Sequence, residues 1–107
     1  MFEKGSIMSR QEDLIKEKLK AQGFTRNQKG FVYMSEAIAL CMDNPLIMGK
    51  ELTQTLGEKY ELSASQVLSA LNYSLSYARA NGLENVALLS FIRESADQIK
   101  KELKEES

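Results

Sequence analysis

The chain has 107 residues, 43% of them hydrophobic and 27% charged, which suits one soluble globular domain and leaves no room for a second core. Fourteen basic residues against fifteen acidic ones give a net charge of −1, so any nucleic-acid contact must come from local clustering rather than from the overall sum. A single cysteine, Cys41, and the absence of histidine exclude an internal disulfide framework, the usual zinc sites and the Ser/His or Cys/His nucleophile pairs.

Residues 1–8 carry no periodicity and are expected to form a flexible lead. Ser9, with Glu12 three residues on, reads as the N-cap of a first helix whose apolar face is Leu14, Ile15 and Leu19, stopped by Gly23. Its basic residues Arg10, Lys16, Lys18 and Lys20 are offset by Glu12, Asp13 and Glu17, the pattern of a solvated face. A polar connector from Gly23 to Lys29 follows. Gly30 opens a second helix in which Phe31, Met34, Ala37, Ile38, Cys41 and Met42 recur at helical spacing, and Pro45 ends it after Asp43-Asn44. Cys41 is expected to be a small buried residue, and Met34, Met42 and Met48 to fill the core.

Leu46 to Met48 bridge to a third helix, residues 49–60, with Leu52, Leu56 and Tyr60 four apart. Ser63 is a good N-cap for a fourth, residues 63–81, whose Val67, Leu68, Leu71, Leu75 and Ala78 form the inward stripe until Asn81-Gly82 closes it. Ser65, Gln66, Ser69, Asn72, Tyr73, Ser76 and Arg79 lie opposite. Tyr73 and Tyr77, four apart, are expected to cover the flank of a neighbouring helix. After a turn at 82–85 come apolar Val86 to Ile92 and a charged tail helix with Ile92, Ala96, Ile99 and Leu103 on one side. Residues 105–107 are expected to fray, leaving a single domain over 9–104. The fold class is all-α, a compact domain of five to six helices.

The pair at 49–82, a short helix, a tight turn and a longer helix, has helix-turn-helix spacing, an arrangement that places one helix in a DNA major groove. A plain helical bundle produces the same spacing. The composition of the second helix is unusual for DNA binding, because from Leu62 to Gly82 the only charged side chain is Arg79.

The block from Lys29 to Gly82 resembles the C-terminal effector domain of the stage-zero sporulation response regulator of endospore-forming Firmicutes. Lys29, Gly30, Phe31, Tyr33, Met34, Glu36, Ala37 and Ile38 match its Lys-Gly-aromatic entry and the helix that follows. Lys50, Leu52, Lys59, Ala64, Ser65, Val67, Ala70, Ala78 and Gly82 match its helix-turn-helix without a gap, while beyond Gly82 this chain shortens the family's connector.

The resemblance implies an all-helical bacterial transcription-factor domain that binds promoter DNA as tandem copies, with the fourth helix in the major groove. It assigns Ser65, Gln66, Ser69, Asn72 and Tyr73 to base reading, beside Ala64. Lys29, Lys50, Lys59 and Arg79, with Arg26, are the candidate phosphate contacts. Gln66, Ser69 and Asn72 stand where the family repeats arginines, and Leu68 stands where it carries a charge. Gln and Asn grip adenine bidentately and Ser serves several bases, so base reading survives while the electrostatic component shrinks. The family's phosphorylated receiver domain has no room in 107 residues; if these are the full length, the expected regulator is constitutive or governed by another protein.

Two readings therefore stand: a regulator of double-stranded DNA, dimeric on repeated sites, and a protein-interaction module of the same fold that has lost DNA binding and modulates another regulator. The carboxylates, lysines and tyrosines show no catalytic spacing and there is no glycine-rich phosphate loop, so no enzyme, cofactor or metal is expected. No apolar run approaches the roughly 18 residues of a membrane span, and MFEKGSIM lacks a signal-peptide core, so the expected location is the cytoplasm.

Overall fold

A computed structural model describes residues 3–25 and 29–106, with side chains described from residue 10 onward. Its elements are α1 (Glu3–Ala21), α2 (Lys29–Asp43), α3 (Gly49–Tyr60), α4 (Ala64–Ala80) and α5 (Leu88–Glu106), with no strand among the described residues. Arg26, one of the candidate phosphate contacts, lies outside the described residues.

Helix α2 is central and touches the other four. The reason is its composition: Gly30, Phe31, Tyr33, Met34, Ala37, Ile38, Cys41 and Met42 are all buried, an apolar band too wide for one neighbour to cover. Leu14, Ile15 and Leu19 of α1, Leu52 and Leu56 of α3, Val67, Leu71 and Leu75 of α4, and Ile92 and Ile99 of α5 close around it. Burial pushes the Cys41 thiol up from its ordinary pKa, which keeps it protonated and inert.

Three of the turns share one design. After α1, Gly23 takes φ 102° and Phe24 N–H donates to Leu19 O at 3.0 Å; after α4, Gly82 takes φ 112° and Leu83 N–H donates to Ala78 O at 3.0 Å. After α3 the left-handed residue is Glu61, φ 57°, with Leu62 N–H donating to Gly57 O at 2.8 Å. The apolar residue that follows each stop folds back on the bundle. Phe24, placed in a polar connector by the sequence reading, is buried against Phe91 with ring centroids 5.4 Å apart.

Some expectations are corrected. Residues 3–8 are helical and continuous with α1, so Ser9 lies inside the helix and is not its N-cap. Nothing in EKGSIM breaks a helix outright, and once a packed segment nucleates one, each added residue gains a hydrogen bond. The frayed end likewise gives way to a helix that runs to Glu106, whose carboxylate meets Arg10 through two bonds, at 3.0 and 2.5 Å. Val86 to Ile92 is not a separate element but leads into and begins α5. Met48 is the extended residue before α3 and is exposed, and Leu68 stands partly exposed at the edge of the α4 stripe. Tyr73 and Tyr77 are exposed rather than laid over a neighbour.

The Arg10 guanidinium holds the Glu106 carboxyl below the usual carboxylate range, chiefly through its hydrogen bond. A depressed carboxyl stabilises the fold above the unfolded pKa, and that contribution is lost as pH falls through the lower folded value. Arg10→Ala is expected to return the Glu106 titration midpoint, followed by carboxyl NMR, to the ordinary range. The melting temperature should barely move, since the pair is solvent-exposed. An unchanged midpoint would mean that the pair does not form in solution.

Candidate nucleic-acid interface

The geometry of α4 begins at its cap. Ser63 Oγ accepts from Gln66 N–H at 3.1 Å, and Gln66 Oε1 accepts from Ser63 N–H at 2.9 Å, a reciprocal box that fixes the first turn. From there Val67, Leu71, Ser74, Leu75 and Ala78 face the core. At 3.6 residues per turn, Ser65, Ser69, Asn72, Tyr73 and Ser76 share the opposite face, and each is exposed. Among the described residues no other helix lies over them, so four of the five candidate base readers, Ser65, Ser69, Asn72 and Tyr73, are brought together on one open surface beside Ser76. Gln66, also exposed, differs from the rest because its amide oxygen is committed to the cap.

The candidate phosphate contacts are less uniform. Gly30 packs against Ala70 and Ser74, so its neighbour Lys29, the first residue of α2, sits beside the middle of α4. Lys50 is exposed in the first turn of α3. Among the described residues neither lysine makes an ion pair. Lys59 does: its Nζ lies 2.7 Å from Glu36 Oε1, and the Tyr60 hydroxyl donates to the other oxygen of the same carboxylate. Tyr60 is fixed in turn against Tyr33, ring centroids 4.9 Å apart. Arg79 Nη2 donates to Val86 O at 2.6 Å and ties the α4–α5 connector to the end of α4.

Charge over the helix pair is balanced. Lys50, Lys59 and Arg79 are matched by Glu51, Glu58 and Glu61, so residues 49–82 carry no formal net charge. The sequence reading missed the Glu36 clasp on Lys59 because the two are 23 residues apart and no local pattern links them. Among the described residues no three His, Cys, Asp or Glu side chains converge to hold a metal ion, and no helix is long and apolar enough to cross a membrane.

The chain matches no protein-family model, no curated protein and no solved structure. The resemblance to the sporulation-regulator effector domain therefore rests on the residues of this sequence alone.

Proposed function

We propose that the chain is a cytoplasmic helix-turn-helix transcriptional regulator that binds double-stranded DNA through α4. The observation that carries this reading is the open outer face of α4, where Ser65, Ser69, Asn72 and Tyr73 stand in line with nothing over them. In a major groove Asn72 is suited to a bidentate grip on adenine, and the serines to either donor or acceptor edges. Gln66 joins them by giving up its cap bond. Lys29 and Lys50 contact phosphate directly, whereas Lys59 and Arg79 must first leave Glu36 and Val86 O. Binding to tandem sites as a homodimer follows from the resemblance.

Two ready phosphate contacts make a definite salt dependence. The logarithm of the affinity should fall against the logarithm of salt with a slope of about −1.8 per protomer bound, from about −0.9 per contact, and about twice that for a homodimer. Selection from random duplexes at about 50 mM salt is expected to enrich one motif, and failure to enrich any would remove the DNA reading. Asn72→Ala should relax preference at one base position by ~1–3 kcal/mol. Glu36→Gln should release Lys59, tightening binding to all sequences and steepening the slope by about 0.9.

A second reading, a protein-interaction module derived from the same fold, is favoured by the charge balance of residues 49–82 and by the exposure of Leu46, Met48, Leu68, Tyr73 and Tyr77. Under it Tyr73→Ala abolishes capture of a protein partner and no duplex is selected.

A further inference from the structure

A second surface lies around α4 from the proposed DNA face. The first turn of α3, Leu68 and Leu71 of α4, and Leu88, Leu89 and Ile92 of α5 enclose an open groove of about 350 Å³. Gly49 forms part of its wall, and a Cβ built there would only just reach Leu89 Cδ2, at 4.0 Å. Lys50 is the one charged residue lining it. The connector leading into α3 leaves Leu46 84% and Met48 65% exposed, and Leu68 is 44% exposed. Arg93, one turn beyond Leu89, donates from Nη2 to Ile47 O at 3.2 Å and so stands at the same edge. The result is an apolar floor with Lys50 and Arg93 at its margin, where Glu51 is turned back to accept from the Met48 N–H at 3.5 Å.

The size and charge of this surface limit what covers it. Three exposed side chains and the groove walls amount to a few hundred Å², the scale of the largest and often functional patch on a monomer. A stable dimer interface needs about 800 Å² from each partner. Two-fold pairing of the patch with itself would also bring Lys50 and Arg93 of one copy toward the same residues of the other. A single amphipathic helix is the right size for the groove, inserting apolar residues spaced three and four apart, and acidic residues flanking that stripe would meet Lys50 and Arg93.

We infer that this groove docks an acid-flanked amphipathic helix of a protein partner. On α4, Leu68 is about a quarter-turn away from the line of Ser65, Ser69 and Asn72. The groove shares Lys50 with the proposed phosphate contacts, so a docked helix competes with DNA for that side chain, but the inference does not depend on the DNA reading.

The test uses the full chain, ¹⁵N-labelled, and two synthetic peptides of about four helical turns with the same leucine stripe, one flanked by Glu and the other by Lys. The Glu peptide is expected to shift the amides of residues 46–50, 68 and 88–93 and to bind at least about tenfold more tightly than the Lys peptide. Met48→Asp should abolish this binding while leaving the melting temperature unchanged or raised, because Met48 occupies an N-cap position where Asp is preferred. Lys50→Glu should narrow or invert the preference. Equal binding of the two peptides, no binding by the Glu peptide at millimolar concentration, or shifts confined to the outer face of α4 would overturn the inference. So would a concentration-dependent dimer that Met48→Asp dissolves, which would make the occupant a second copy of the chain.

Discussion

Gly30→Ala is expected to destabilise the protein by about 2–3 kcal/mol, read as a lower urea midpoint at unchanged m-value. The first turn of α2 crosses α4 with almost no space between them. A Cβ at Gly30 would stand 1.9 Å from Ser74 Oγ, 2.7 Å from Ala70 O and 3.0 Å from Ser74 Cβ. The hydroxyl is the end of a side chain, but the carbonyl belongs to the α4 backbone and yields only if the helix moves. Alanine's better helix propensity returns at most about 1 kcal/mol, less in a first turn, so the clash decides the sign.

Ser74 sharpens the test. Its hydroxyl is buried with no hydrogen-bond partner among the described residues, so Ser74→Ala alone is expected to be neutral or mildly stabilising. Combined with Gly30→Ala it should recover only part of the loss, because the Ala70 carbonyl remains. A Gly30→Ala variant as stable as the parent would mean that α2 and α4 are not in this contact.

The second large effect concerns the turn that presents α4. Gly57→Ala is expected to cost about 2–3 kcal/mol and to reduce whatever binding α4 carries out. The chain after α3 folds back over Gly57 so closely that a Cβ there would lie 2.5 Å from Leu62 O, while Leu62 N–H bonds to Gly57 O at 2.8 Å. Either the turn opens, changing the angle at which α4 leaves, or the bond is lost. Glu61→Gly provides the opposite sign at the same turn. Glu61 holds φ 57°, where a side chain costs about 1–2 kcal/mol, so glycine should stabilise by up to ~1 kcal/mol after its greater unfolded-state freedom is counted. Thermal melts of the two variants read both effects, and a stabilising Gly57→Ala would contradict the packing.

Local rules placed α2, α3 and α4 well. Pro45 ended α2 at Asp43, Ser63 with Gln66 set the start of α4, and Gly82 closed it, each through a constraint acting within four residues. The same rules misjudged α1. Ser9 and Glu12 have the spacing of a capping box, yet spacing cannot say whether the preceding backbone is already helical. Periodicity likewise put Leu68 inside, and residue type did the same for Met48. Whether an apolar side chain at the edge of a stripe is covered depends on where the neighbouring helix passes, and α5 leaves that side of α4 open.

Read alone, the sequence determined the all-helical class and the face of α4 that looks outward, because both follow from the 3.6-residue period and from caps satisfied by near neighbours. It also left Arg79 as the one arginine of that face, with Gln66, Ser69 and Asn72 uncharged. The tertiary structure decided which charges remain available. Lys59 goes to Glu36, Arg79 to Val86 O and Arg10 to Glu106, leaving Lys29 and Lys50 among the described candidate phosphate contacts. The physical reason is range: Glu36 is 23 residues from Lys59 and Glu106 is 96 from Arg10, and such partners meet only after the helices have packed.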